Sequence, residues 1–274
     1  MKDDLIFQKK KGMTISKAWI LFLSMLIAQL ITGGIVGYKI AKARGEGAVI
    51  ENPYGMTMYY TLGAYIILCV IAFYINKKEL PRFNIPSFQR VGFAIIIAIF
   101  IRILSSVLED LPFSFITQES IEQMGQFNYT FIVLQSLVII FFQVGFIGHG
   151  LLRNYEFITA AITTTLVSIV HFEPKSILSM IVLVGIMLYI YYKTSSFWLV
   201  IIIGLVYMYI DVVMALFYDM NIFHNNNWRN VIIGNDASYY SLVAFCVLGT
   251  AGLLYIISRI DPLEWQRSDE LPEF

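Results

Sequence analysis

Long apolar runs alternate with short charged segments along the whole chain. The runs cover 18–38, 56–75, 91–107, 129–149, 157–171, 176–192, 197–217 and 239–257. About 18 consecutive apolar residues suffice to cross a hydrocarbon core about 30 Å thick. Lipid offers the backbone no hydrogen-bond partner, so such runs are expected to be helices, with every amide bonded within its own segment. The pattern predicts an all-α polytopic membrane protein of about eight transmembrane helices. The expected organisation is a single membrane domain over 1–274: N-terminal helices in 18–107, a core in 129–217, a last helix at 239–257 and an acidic tail at 258–274. Mostly short connections favour a compact antiparallel bundle. No internal repeat, soluble domain or low-complexity linker is visible.

Composition agrees with the pattern. The 274 residues are 58% hydrophobic and 14% charged, whereas soluble domains are roughly half apolar and about a quarter charged. Zero net charge says little here; the placement of the charges says more. With the N-terminus inside, the inner segments hold Lys2, Lys9, Lys10, Lys11, Lys17, Lys77, Lys78, Arg82, Arg90, Arg153, Lys193, Arg259 and Arg267. The outer segments hold Lys39, Lys42, Arg44, Lys175 and Arg229. Cationic loops stay on the cytoplasmic side, so both termini are expected there, in a bacterial cytoplasmic (inner) membrane. The first run follows a basic leader with no small-residue cleavage site behind it, and reads as a retained helix. Cys69 and Cys246 lie within apolar runs and read as buried thiols. No glycine loop for nucleotides, redox motif or cofactor signature is present, so the expectation is no cofactor, no metal and no nucleic-acid partner.

Two outer loops are longer than the rest. Residues 108–128 mix Leu111, Phe113, Phe115, Ile116 and Ile121 with Glu109, Asp110, Glu119 and Glu122, a composition able to lie flat in the interface. Residues 219–238 are polar and rich in asparagine. Both read either as plain connections or as docking surfaces for an extracytoplasmic protein. In the first run, Gly33, Gly34 and Gly37 include a Gly-x-x-x-Gly pair that permits close helix approach. It would serve packing within the bundle or dimerisation.

The chemistry-bearing segments lie between 129 and 217. Phe142-Gln143-Val144-Gly145-Phe146-Ile147-Gly148 keeps the frame Glu-Glu-x-Gly-aromatic-Arg-Gly. A helix then ends Ser168-Ile169-Val170-His171-Phe172. Last comes Gly185-Ile186-Met187-Leu188-Tyr189-Ile190-Tyr191-Tyr192-Lys193-Thr194-Ser195-Ser196-Phe197-Trp198. In order and spacing these segments resemble the CPBP (Abi) family of CAAX-processing and bacteriocin-processing intramembrane proteases. The resemblance implies an eight-helix bundle. It also implies a site in which a glutamate activates water, histidines bind a metal or polarise the carbonyl, and an Asn or Asp completes the set.

Placed on this sequence, the family's two glutamates fall on Phe142 and Gln143 and its arginine on Ile147. The middle histidine survives as His171, and the last His-x-x-x-Asn/Asp falls on Gly204 and Met208. Amide hydrolysis needs a general base and a group that holds the developing oxyanion. Phe142 supplies neither, and Gln143 has no proton to exchange. A shifted register, with His149 in place of the arginine and Val144-Gly145 in place of the glutamates, also lacks a base.

The expected binding cleft is lined by Gln143, Thr164, Ser168, His171, Tyr207, Asp211 and Arg102. Thr164, Ser168 and His171 share a helical face. At about 1.5 Å per residue, His171 and Asp211 come to a similar depth. Their contact would be a structural clamp, a proton-linked switch or part of a metal site, although a catalytic zinc normally takes three protein ligands. Arg102 is expected to snorkel outward to Glu109 and Asp110, with Asp211 as the inward alternative. Trp198, Tyr191 and Tyr192 read as interface anchors. The functional expectation is a catalytically degenerate scaffold or regulator that contacts membrane lipid and a membrane or extracytoplasmic protein. A divergent active protease, a small transporter or lipid-handling protein, and bacteriocin self-immunity are the alternatives.

Overall fold

A computed structural model describes the chain over 13–47, 53–109, 129–169, 177–217 and 235–260, with side chains left out at 53–55, 58, 109, 129–132, 211–217 and 260. Helices account for nearly all of it: α1 Ile15–Gly45, α2 Pro53–Ile75, α3 Phe88–Glu109, α4 Tyr129–Ile140, a π-helical segment Phe141–Gly148, α5 His149–Leu152, α6 Phe157–Ser168, α7 Ile177–Thr194, α8 Phe197–Phe217 and α9 Asp236–Ile260. Among the described residues the only extended pairing is an isolated bridge between Phe83 and Ser196.

Helix ends follow local chemistry. The Thr14 hydroxyl accepts the Lys17 amide at 3.4 Å and caps α1. Ser87 does the same for Arg90 ahead of α3, and Asn235 for Ser238 at 2.8 Å ahead of α9. Helix α2 stops without a glycine. Lys77 and Lys78 take φ of 58° and 64°, and the Lys78 amide reaches back to the Phe73 carbonyl at 2.9 Å. That six-to-one bond belongs to a Schellman-type ending, normally built on glycine.

Among the described residues, five segments are long and apolar enough to cross a membrane: Ile15–Gly45, Phe88–Leu108, Val133–Leu152, Ile177–Thr194 and Asp236–Arg259. Three shorter apolar helices, Tyr59–Ile75, Phe157–Ser168 and Phe197–Ile210, coincide with remaining expected runs. The outer faces show what solvent they suit. Leu30, Ile31, Phe245 and Leu248 are exposed on α1 and α9. Contiguous apolar faces of this extent are not left to water in soluble monomers. The chain is a helical membrane protein.

The helix running through Val133–Leu152 is the centre of the bundle, with 61% of its apolar window buried, against 22% for α1 and 17% for α9. It packs on α2, α6, α7 and α8, while α3 lies against α7, α8 and α9. Glycines let the central helix sit close to its neighbours. A β-carbon on Gly148 would come within 2.6 Å of Leu188 Cδ1, and one on Gly150 within 2.6 Å of Met13 Cβ. By contrast, a β-carbon on Gly33, Gly34 or Gly37 would meet nothing within 4 Å among the described residues. The Gly-x-x-x-Gly pair of α1 therefore serves no close contact inside the described bundle. Cys246 is buried and Cys69 half-buried, both as free thiols.

Overpacking at a close approach costs about 1–3 kcal/mol, so Gly150→Ala should lower the thermal midpoint of the detergent-solubilised protein. Gly33→Ala should leave that midpoint close to the parent value.

Candidate functional site

Regular α-helix is interrupted where the motif frame lies. Over Phe141–Gly148 the backbone is π-helical, a wide turn that recurs at functional positions in helices. Every residue from Phe142 to Leu152 is buried. The change of pitch disturbs the carbonyl pairing in a region with no water to answer it. The His149 amide points at the Phe146 and Val144 carbonyls, and the Asn76 side-chain amide donates to the Phe146 carbonyl at 2.8 Å. Asn76 stands at the end of α2 and is almost wholly buried, so the turn is closed from outside its own helix.

Apolar packing fills the positions where the frame would carry charge. Phe142 is fully buried, its ring edge-on to Tyr65 with centroids 5.8 Å apart. Ile147 is fully buried within the same core cluster. Gln143 is buried, and its Nε2 has no hydrogen-bond partner among the described residues. Gly204 packs against the Ile140 side chain, which already occupies the space of any β-carbon there. Met208, one turn on, is half-buried.

Helix α6 partly meets expectation. Thr164 and Ser168 share one buried face. Ser168, however, donates back to the Thr164 carbonyl at 2.7 Å, so its hydroxyl is engaged within its own helix. The Thr164 hydroxyl has no hydrogen-bond partner among the described residues. A β-carbon on Gly148 would lie 3.7 Å from Thr164 Cγ2, which puts the threonine against the π segment. His171 lies outside the described residues, as does the side chain of Asp211 on α8, so their expected contact is not described. Residues 110–128 and 218–234, which make up most of the two expected docking loops, also lie outside. Among the described residues, no three His, Cys, Asp or Glu side chains converge.

The side chains of Glu109, Asp110 and Asp211, the expected partners of Arg102, lie outside the described residues, so the choice between outward and inward pairing is not described. Arg102 is 7% exposed, and its guanidinium carbon sits 5.7 Å from the Tyr207 ring centroid. A cation over an aromatic face gains electrostatic attraction without leaving the bundle. Around it runs a buried hydroxyl relay. Tyr207 donates to Ser105 at 3.0 Å, and Ser105 to the Ile101 carbonyl. Ser106 donates to the Ile103 carbonyl and lies 2.8 Å from the Tyr239 hydroxyl. A hydroxyl carries one hydrogen, so Tyr239 is the donor of that pair.

A second polar group, at the end of the bundle where α2 stops and α3 starts, was not legible in the sequence. His149 Nδ1 lies 2.9 Å from the Tyr191 hydroxyl, and that hydroxyl accepts the Arg82 amide at 2.9 Å. The Tyr191 hydroxyl thus links His149 Nδ1 to the backbone at Arg82, whichever of the two side-chain atoms carries the shared hydrogen. Tyr191 is fully buried, so it is a core hydrogen-bonding residue and not an interface anchor. Trp198 is exposed enough to serve as one, and Tyr192 stacks on Phe157 at 4.9 Å. The sequence placed His149 and Tyr191 only at the same side of the membrane, on separate segments, with Tyr191 read as an anchor.

No known protein family, curated protein or solved structure matches the chain.

Truncating one partner of a buried hydrogen bond costs about 1–3 kcal/mol, because the other is left without water. Tyr191→Phe should therefore lower the thermal midpoint and speed hydrogen exchange at the Arg82 amide, while Tyr192→Phe should do neither.

Proposed function

We propose that this protein is a catalytically degenerate member of the CPBP-like group, working as a scaffold or regulator that holds another membrane or extracytoplasmic protein. The observation that carries the reading is the packing of the motif frame. Phe142 and Ile147 stand in the register of a glutamate and the arginine, and both are sealed into the apolar core. Gln143 keeps the shape of the other glutamate without its ability to take a proton. A site that cannot deprotonate water cannot supply the base that amide hydrolysis requires. The tight seat of Gly204 against Ile140 supports the same reading at the last motif.

The finer architecture belongs to this proposal. It takes the three shorter apolar helices as spans, giving eight. It takes the end carrying Lys77, Lys78, Arg90, Arg153 and Lys193 as cytoplasmic, by the cationic-loop rule. The loops at 108–128 and 219–238 then face outward, where an extracytoplasmic partner would meet them. The assignment to a bacterial cytoplasmic membrane follows from the same family likeness together with the cationic-loop rule.

The test uses the full chain purified in mild detergent and given membrane-segment peptides. No peptide release and a companion protein eluting at fixed stoichiometry are the expected results. Release of peptide fragments that disappears in His171→Ala, at unchanged abundance of the variant, would overturn the proposal in favour of an active divergent protease.

A further inference from the structure

The segment joining α2 to α3 presents two features at its surface. Its tips are apolar and bare: Ile85 is 89% exposed and Phe88 is 92% exposed, on either side of Pro86 and Ser87. Its flanks are basic. Lys77 and Lys78 are exposed at the left-handed end of α2, although Lys78 also lies over the Tyr74 ring, and Arg82 and Arg90 follow along the segment. Glu79, its one acid, is engaged by Arg153 in an ion pair.

This segment is a strap held at several points, with its tips presented outward. The Arg82 carbonyl accepts the Phe197 amide at 2.8 Å, and its amide donates to the Tyr191 hydroxyl. Ser196 donates to the Asn84 carbonyl at 2.6 Å. The Phe83 ring is wedged edge-on against Phe197 and Trp198, with centroids at 5.4 Å and 5.5 Å. These anchors fix the inner side of the strap and leave Ile85 and Phe88 on the outer one. Lys193, over the Tyr189 and Tyr192 rings, adds a cation at the same end.

We propose that the strap between α2 and α3 is a docking element for an anionic lipid leaflet: Ile85 and Phe88 enter the boundary between headgroups and acyl chains, and the exposed Lys77 and Lys78 meet the lipid phosphates. Charge complementarity chooses the occupant. Among the described residues at this end, the acids are Glu79, already paired, and the exposed Glu156. Apolar side chains flanked by basic ones are the composition that binds an interface carrying negative headgroups. A general bias of cations toward one side of a membrane accounts for the lysines, but it does not require two large apolar side chains held bare between them.

The experiment compares the purified full chain in vesicles of phosphatidylcholine with the same chain in phosphatidylcholine doped with phosphatidylglycerol. Two readouts are taken: hydrogen exchange over residues 80–90, and the ratio of the two lipids retained after extraction. Slower exchange in the doped vesicles and enrichment of phosphatidylglycerol are expected. Lys77→Gln with Lys78→Gln should cut that enrichment by about fivefold for each charge removed, while Lys77→Arg with Lys78→Arg should keep it. Ile85→Ser with Phe88→Ser should abolish the slowing of exchange. Equal exchange in the two vesicles, or an enrichment untouched by the glutamine pair, would overturn the proposal. Slowed exchange reproduced in neutral vesicles by soluble glycerol phosphate would overturn it as well, since the ligand would then not be the leaflet.

Discussion

A backbone carbonyl without a partner cannot be left in the middle of a membrane bundle, and the wide turn at Phe141–Gly148 creates that demand. The turn lies in the most enclosed helix, among side chains that offer almost no polar atoms. Its Phe146 carbonyl is answered partly by the chain itself, through His149, and partly by Asn76 from α2. Asn76 in turn sits where α2 ends on two left-handed lysines. The central helix, the end of α2 and the strap beyond it thus form one connected hydrogen-bonded unit. Gly148 and Gly150 are small because Leu188, Met13 and Asn76 come so close.

The same enclosure separates the bundle's polar chemistry into two places. At the strap end, His149, Tyr191 and the Arg82 amide form one polar group. Deeper between α3, α8 and α9, Arg102, Tyr207, Ser105, Ser106 and Tyr239 do likewise. Between the two, Phe142 and Ile147 belong to the apolar core. Phe142 packs against Tyr65 as ordinary core side chains do. Near the turn, Gln143 and Thr164 are buried polar side chains, each with an atom that has no hydrogen-bond partner among the described residues.

How the outer surface divides follows from its composition. Helices α1 and α9 turn bare leucine, isoleucine and phenylalanine outward, as the lipid phase permits. At the end bearing the strap, bare apolar residues alternate with lysine and arginine, and that pattern suits an interface. The glycine face of α1 is open in the same way, but it carries no charge or second feature to say what covers it.

Several features were determined by the sequence alone. The apolar runs fixed the helical class and the membrane setting, because run length and the cost of unpaired amides depend on no tertiary contact. They also put Thr164 and Ser168 on one face, since helical periodicity is local. The π pitch, the burial of Tyr191 and the nearness of Arg102 to Tyr207 were decided only by the tertiary structure. Nothing in the local sequence puts an aromatic face beside Arg102, and packing of another helix brings the Tyr207 ring to it. Likewise, a tyrosine beside lysine at a membrane edge looks like an anchor until the backbone of a distant loop presents an amide to its hydroxyl. Those outcomes rest on groups between 42 and 109 residues apart, and no local pattern in the chain records such pairings.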